Sequence, residues 1–180
     1  MDSIPKYVTI NPKKLTRTSL HNMDTPENHL HVQFDSQVPD LKADLSKLEK
    51  LVRAVCEKFE VHNASVHIGI VDDAGIIEVH RQFLQKDTTT DVISFDLSDE
   101  FESGKTFQIV VNAEMADRQA AKRQHSSEAE LALYITHGLL HNLGFDDLSP
   151  EDAKKMHETE DEILQQLGFG IIYSRNEVQE

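Results

Sequence analysis

The residues of this chain best suited to chemistry are two histidines four positions apart, His137 and His141, followed by a glycine and two acids. In an α-helix, side chains at positions i and i+4 lie on one face, so both imidazoles can point to the same place. Gly144 can adopt a positive φ without steric cost, which predicts that the helix ends there and the chain turns back. Asp146 or Asp147 would then approach the two histidines from outside the helix. Two neutral imidazoles and a carboxylate, with one position left open, are typical of a catalytic zinc site.

The residue after the first histidine limits which class of zinc enzyme this chain could be. Zinc peptidases of the H-E-x-x-H type carry a glutamate there as general base, whereas this chain has Gly138. Peptide hydrolysis by that route is therefore disfavoured, and metal-dependent cleavage of peptides would be needed to revive it. The structural alternative is a buried helix whose histidines stand near a C-cap glycine by chance.

The composition is that of a globular protein with a core of its own. A chain of 180 residues suits one domain. Its one cysteine, Cys56, allows no internal disulfide, and its apolar neighbours favour a packed core thiol over a nucleophile. No apolar run approaches the ~20 residues of a membrane span, and the first residues lack the apolar core of a signal peptide. We therefore expect a soluble, cytoplasmic protein with no membrane partner.

The charge of the chain disfavours a tight, nonspecific nucleic-acid binder. The net charge is −14, and phosphate contacts need local positive charge. Local groups of bases nevertheless exist, with Arg118, Lys122 and Arg123 on one predicted helix and Arg81 and Lys86 near a predicted strand. Taken singly, each group is typical of an ordinary solvated face.

Hydrophobic periodicity predicts an α+β fold, in which a small mixed sheet packs with about five helices and the central helix carries the metal ligands. We predict a loosely ordered extension over residues 1–28, a single domain over 29–172 and a polar tail over 173–180. Strands are expected at 29–34, around 66–70, at 91–95 and at 107–111, the last two as neighbours. Helices are expected at about 40–60, after Asp72, at 113–123, through the metal motif with Ser127 and Glu130 as a capping box, and from Ser149 to Gly168.

Several segments together resemble one family, the YbeY metallo-endoribonucleases that act on ribosomal RNA. The match extends in order over about residues 30–168. The family motif H-G-x-L-H-x-x-G-[YF]-D-H is matched by His137, Gly138, Leu140, His141, Gly144, Phe145 and Asp146. The segment K-D-x-x-T-D-V-[LI]-S-F is matched by Lys86, Asp87, Thr90, Asp91, Val92, Ile93, Ser94 and Phe95. Two places depart from the pattern: Asp147 replaces the third histidine, and Leu84 stands where many members have an arginine.

The resemblance implies a single-strand-specific, zinc-dependent endoribonuclease that matures the 3′ end of 16S ribosomal RNA and contributes to ribosome quality control. It implies one Zn²⁺ per chain, with His137 and His141 as catalytic ligands and Asp147 as the third ligand, since a carboxylate oxygen is an acceptable zinc ligand; Asp146 is the alternative. The expected partners are single-stranded RNA, ribosomal RNA and the small ribosomal subunit, without DNA.

Lys86 and Ser94 are the candidates for holding the RNA backbone near the metal. Ser94 is as well explained by a strand hydroxyl bonded locally, and Lys86 by a solvated loop lysine. His80 and His157 lie on predicted helices with no partner at ligand spacing, which disfavours them as ligands. A different class of function stays open, namely a ribosome-assembly binding factor whose zinc is mainly structural and whose cleavage is weak or absent.

Overall fold

The computed structural model describes residues 29–99, 104–170 and 172. The predicted extension at 1–28 and the predicted tail at 173–180 lie outside these residues. The described elements are, in chain order, β1 (His29–Ser36), α1 (Leu45–Lys58), β2 (Asn63–Val71), α2 (Asp73–Leu84), β3 (Val92–Asp96), β4 (Lys105–Asn112), α3 (Ala113–Arg123), α4 (Ser127–Asn142) and α5 (Pro150–Gln166). The predicted α+β class, with a small mixed sheet and about five helices, is confirmed.

The sheet has the strand order β1-β2-β4-β3. The first three of these strands are parallel, with Val66 opposite both Val32 and Phe107, whereas β3 runs antiparallel to β4 with Ile93 opposite Val110. The prediction that β3 and β4 are neighbours is therefore confirmed. Because successive side chains of a strand point to opposite faces, the sheet offers one apolar surface to each side.

Helices cover both faces of this sheet unequally. Val66, Ile68 and Ile109 belong to the main core, which α1 and α4 complete. Val110 and Ile93 belong to a smaller cluster that α2 covers from the other side. Eleven of the 16 residues of α4 are buried, and α4 contacts α1, α3, α5 and two strands. The helix that carries the histidine pair is thus the central one, as predicted, and a buried helix positions its side chains rigidly.

Each helix begins at a residue whose side chain accepts a hydrogen bond from a backbone N–H of the first turn, which satisfies an otherwise unpaired donor. The N-cap residues are Asp44, Asp72, Asn112, Ser126 and Ser149. Asp44 explains why α1 begins at Leu45 rather than near residue 40.

The predicted capping box of Ser127 and Glu130 is wrong. Ser126 is the cap, and its Oγ accepts from the N–H of Ala129 at 3.1 Å. Ser127 instead donates to Asp117, and Glu130 turns into the protein to meet Arg123. Two serines in succession each suit the cap position, and the helix uses the first of them.

Cys56 lies in the core, as predicted, with 1% of its surface exposed. Burial raises the pKa of its thiol to about 11, so it stays protonated at neutral pH and is a poor nucleophile. Over the described ranges, every helix is either too short or too polar to cross a bilayer.

Candidate metal centre

The end of α4 folds the chain back over its own last turn. Gly144 has a φ of +89°, its N–H donates to the carbonyl of His141, and the N–H of Phe145 donates to the carbonyl of Leu140, both at 3.0 Å. This pair of bonds is the Schellman motif, which requires the left-handed residue that glycine supplies. The predicted helix stop at Gly144 is confirmed, and the residues after it return toward the histidines.

The two acids that follow the turn have different environments. Asp146 accepts backbone N–H bonds from Asp147 and Leu148 at 2.8 and 3.2 Å, so its carboxylate Oδ1 is engaged in the local turn. The carboxylate Oδ2 of Asp147 lies 3.9 Å from the Nε2 atoms of both His137 and His141. The turn made by Asp146 therefore presents Asp147 to the histidine pair.

His137, His141 and Asp147 place one ligand atom each within 4.8 Å of one another. The two Nε2 atoms are 3.0 Å apart. For comparison, two nitrogens bound tetrahedrally to one zinc at ~2.0–2.1 Å lie roughly 3.4 Å apart. Small side-chain movements would bring all three donors to bonding distance of one ion.

The hydrogen bonds on the far side of each ring determine which nitrogen faces the site. Nδ1 of His141 lies 3.1 Å from the carbonyl oxygen of Phe145, and Nδ1 of His137 lies 2.8 Å from Oε1 of Glu160. Both partners can only accept, so each Nδ1 carries the proton and each neutral ring turns an Nε2 lone pair inward. Two lone pairs facing each other at 3.0 Å repel unless a proton or a metal ion lies between them. The donor set therefore fits a metal ion.

Glu160 is the residue of this site that sequence reasoning missed. It lies on α5, is fully buried, and accepts from Nδ1 of His137 through one oxygen and from Nδ1 of His157 at 2.9 Å through the other. Burial alone would lower the pKa of His137, but the hydrogen bond and charge of Glu160 outweigh it and raise that pKa. A carboxylate behind a ligating histidine fixes its orientation and increases its basicity.

A signal for Glu160 was present in the sequence. It lies four residues after Met156 and three before Ile163, at the buried spacing of an amphipathic helix. A charged residue in such an apolar stripe needs a buried partner.

A cavity of about 720 Å³ opens beside this group of three donors, in the size range of small-molecule sites. Its wall includes His137 and Asp147 together with residues of α3, α4, α5 and the segment before β3. The polar residues among these others are Thr90, Asp91, Gln119, Arg123, Glu130, Tyr134, His157 and Glu160. The site is therefore reachable from solvent, which suits a catalytic centre better than a closed structural one.

The remaining residues singled out in the sequence lie in other places. Lys86 is exposed after the end of α2, and Ser94 lies on β3 beneath Gly138; neither lines the cavity. Their role in RNA binding stays a prediction. Leu84 is 46% exposed. His80 is 7% exposed and contacts the carbonyl of Thr88 through Nδ1 at 2.7 Å, which is a structural role.

Close packing against the sheet explains why residue 138 is a glycine. A Cβ built there would lie 3.2 Å from a methyl of Val92, 3.2 Å from a methyl of Ile109 and 3.3 Å from Cβ of Ser94. The helix α4 therefore lies close against β3 and β4 at this residue. A glutamate at this position would have to enter the interface between α4 and the sheet, which is a second reason against H-E-x-x-H chemistry.

Comparisons with known proteins agree with this geometry. The model of the family described as "Endoribonuclease YbeY" matches residues 32–168. Proteins named endoribonuclease YbeY are similar over most of their length. The one from Caldicellulosiruptor bescii is 32% identical over 155 residues, which is 78% of this chain and 98% of that protein. The one from Lysinibacillus sphaericus is 35% identical over 154 residues, with the same coverage of 78% and 98%.

A solved structure shares the fold. The solution structure of TM1509 from Thermotoga maritima superimposes with a TM-score of 0.52 and 24% sequence identity, over 76% of this chain and 90% of that one. The family match covers the histidine pair, the turn at Gly144 and the buried glutamate of α5. On this evidence the chain belongs to the endoribonuclease YbeY family.

Proposed function

We propose that this protein is a metal-dependent endoribonuclease that cleaves single-stranded RNA with one zinc ion per chain. The observation that carries the proposal is the convergence of two inward-facing imidazole lone pairs and one carboxylate oxygen at the wall of an open cavity. Nitrogen and carboxylate donors in this number suit zinc and leave a position for water or substrate. His137, His141 and Asp147 would hold the ion.

When bound, the metal would lower the pKa of a water molecule and polarise a phosphoryl oxygen. The chain's own residues prepare the site for this. Glu160 and the carbonyl of Phe145 hold the protons of the two imidazoles on Nδ1, so that both Nε2 atoms stay available. The Schellman turn at Gly144 brings Asp147 to the same point.

We further propose that the substrate is ribosomal RNA of the small subunit, and that the reaction matures the 3′ end of 16S RNA and serves ribosome quality control in the cytoplasm. Membership of the endoribonuclease YbeY family supports this substrate class. Lys86 and Ser94 are proposed to guide the RNA toward the cavity from outside it. Ser94 is supported by its place on β3, which runs past the end of α4, where Asn142 Nδ2 lies 3.4 Å from the carbonyl of Phe95; Lys86 is supported by its exposed cationic side chain.

The test is metal content by elemental analysis, paired with cleavage of a labelled single-stranded RNA before and after chelation. We expect about one zinc per chain and cleavage that chelation abolishes and zinc restores. His137→Ala, purified in parallel, controls for contaminating nucleases and should be inactive. Zinc without cleavage, together with binding to small-subunit particles that survives His137→Ala, would instead identify an assembly factor with a structural metal. A protein without zinc or cleavage would refute the proposal.

A further inference from the structure

The cavity beside the metal ligands has an unfavourable charge for a polyanion. Four carboxylates line it, those of Asp91, Glu130, Asp147 and Glu160. Among the described residues that form its wall, the one arginine or lysine is Arg123. An RNA strand that enters this cavity therefore meets a permanently charged cation at a single place.

Arg123 is held in that place by a buried acid. Its Nη1 donates to Oε1 of Glu130 at 2.8 Å, and Glu130 is fully buried near the start of α4. Nε2 of His125 lies 2.9 Å from the other oxygen of the same carboxylate. Because the carboxylate of Glu130 is buried and cannot move into solvent, its bond to Arg123 holds the guanidinium at the wall of the cavity.

The anchoring bond leaves part of the guanidinium available. The side chain of Arg123 is 29% exposed, and its other N–H groups make no hydrogen bond to residues 29–99, 104–170 or 172. An arginine carries five donors in a planar fork that matches phosphate oxygens. One edge is thus occupied by Glu130, and the rest can bind a phosphate.

The position of Arg123 relative to the metal ligands decides which phosphate it can reach. Glu130 precedes His137 by seven residues on α4, which at 1.5 Å per residue is ~10 Å along the helix axis. Arg123 and the metal ligands thus meet the same cavity at different places. A strand bound across the cavity would present one phosphate to the metal ligands and another to Arg123.

We propose that Arg123, anchored by Glu130, forms a phosphate subsite that binds the RNA backbone next to the scissile phosphodiester. This inference rests on the proposed function. The subsite adds binding energy to substrate and transition state equally, since Arg123 does not touch the reacting atoms. It would also select for strands that continue past the cleaved bond, because the subsite is filled only by a further nucleotide.

The test compares variants by RNA affinity and by kinetics. Arg123→Gln leaves Glu130 buried without its cation and can misfold, so the decisive variant is the pair Arg123→Gln with Glu130→Gln, checked by thermal melting. Affinity for a fluorescent single-stranded decanucleotide is measured by anisotropy on chelated, metal-free protein. We expect about tenfold weaker binding and a salt dependence reduced by roughly 0.7 in slope, the value for one single-strand phosphate contact.

Lys122→Gln is the matched control, since Lys122 is the preceding residue of α3, is exposed, and does not line the cavity. It should bind as the unaltered protein does. With zinc present, the double variant should raise KM and leave kcat nearly unchanged, the signature of uniform binding. Equal affinity of the double variant and the control, or a fall in kcat alone, would overturn the inference while leaving the nuclease intact. A parent protein that neither binds nor cleaves RNA would refute the proposed function itself.

Discussion

At the scale of single residues, the candidate metal centre depends on which ring nitrogens of the two histidines carry no proton. The imidazoles of His137 and His141 are fixed by acceptors behind them, and both turn Nε2 toward Asp147. The histidine spacing and the following acid are visible in the sequence because they are local. The partner of His137 is not, since Glu160 lies 23 residues further on and meets it only when α5 packs against α4.

We expect His141→Ala to lose its zinc and with it part of the heat stability. An ion that binds only the folded state stabilises it by about 2.7 kcal/mol at a free concentration one hundred times Kd. Elemental analysis and melting with and without chelator measure both effects. His62→Ala, at an exposed position, should keep metal and stability. Stoichiometric zinc in His141→Ala would mean that the ligands are misassigned.

Glu160→Gln should weaken zinc binding by about 10–100-fold, as outer partners of metal-bound histidines typically do. The amide can still accept a hydrogen bond from Nδ1, but it supplies no charge to increase the basicity of His137. Competition with a coloured chelator gives the affinity. Glu158→Gln changes a solvent-exposed acid of the same helix and should leave the affinity unaltered; an equal loss there would point to a general charge effect.

At the scale of elements, α4 combines a close crossing with a sharp end. Gly138 lets the helix approach β3 and β4, and Gly144 returns the chain toward the two histidines of the candidate site. The helix and its end were predictable from sequence, because capping and glycine preferences act within a few residues. The prediction of a capping box at Ser127 and Glu130 was wrong because it considered only residues close in sequence. The side chain of Glu130 instead accepts a hydrogen bond from Arg123 of another helix, which a local pattern does not indicate.

Gly144→Ala should destabilise the protein by about 1–2 kcal/mol, the cost of placing an L-residue in the left-handed region. No atom of the described residues lies within 4 Å of the added methyl, so the effect is one of backbone conformation alone. Gly168→Ala is a matched variant, because Gly168 ends α5 with a φ of +76° and an equally open surrounding. Denaturant unfolding should show similar losses for both. Zinc affinity should fall for Gly144→Ala only, and a loss of affinity in both would mean that the turn does not position Asp147.

At the scale of the whole molecule, the chain has a net charge of −14. A few of its carboxylates link one helix to another by accepting hydrogen bonds. Asp73 at the start of α2 receives two hydrogen bonds from Arg118 of α3, at 2.7 and 2.8 Å, and one from Asn112 at 2.7 Å. Glu128 of α4 receives one from Lys47 of α1 at 2.8 Å. None of these long-range pairs could be read from the sequence, because each joins residues at least 39 positions apart.

The bonds from Arg118 hold the pKa of Asp73 well below its usual range. Because the native pKa is depressed, the contribution to stability is present above the unfolded pKa of about 3.9 and is lost as pH falls toward the native pKa. Asp73→Asn should therefore cost about 1–2 kcal/mol at pH 7, where the charged hydrogen bonds are complete, and the difference from the parent should narrow below pH 4. Urea unfolding at pH 7, 5 and 3 tests this trend.

Glu49→Gln, which alters an exposed pair with Arg53, is the control and should change the free energy of unfolding by less than about 0.5 kcal/mol at every pH. A pH-independent loss in Asp73→Asn would assign its effect to packing.

The turn at Gly144 has a consequence for how an ion would act on the rest of the protein. All three proposed ligands lie within eleven consecutive residues, so an ion closes a very short loop, and closing a short loop removes little freedom from the unfolded chain. An ion held this way secures the end of one helix without fastening distant segments to each other. Its removal should then open a local unit first, with amide hydrogen exchange accelerating around residues 137–147 while the strands of the sheet keep the slow exchange of the global unfolding reaction.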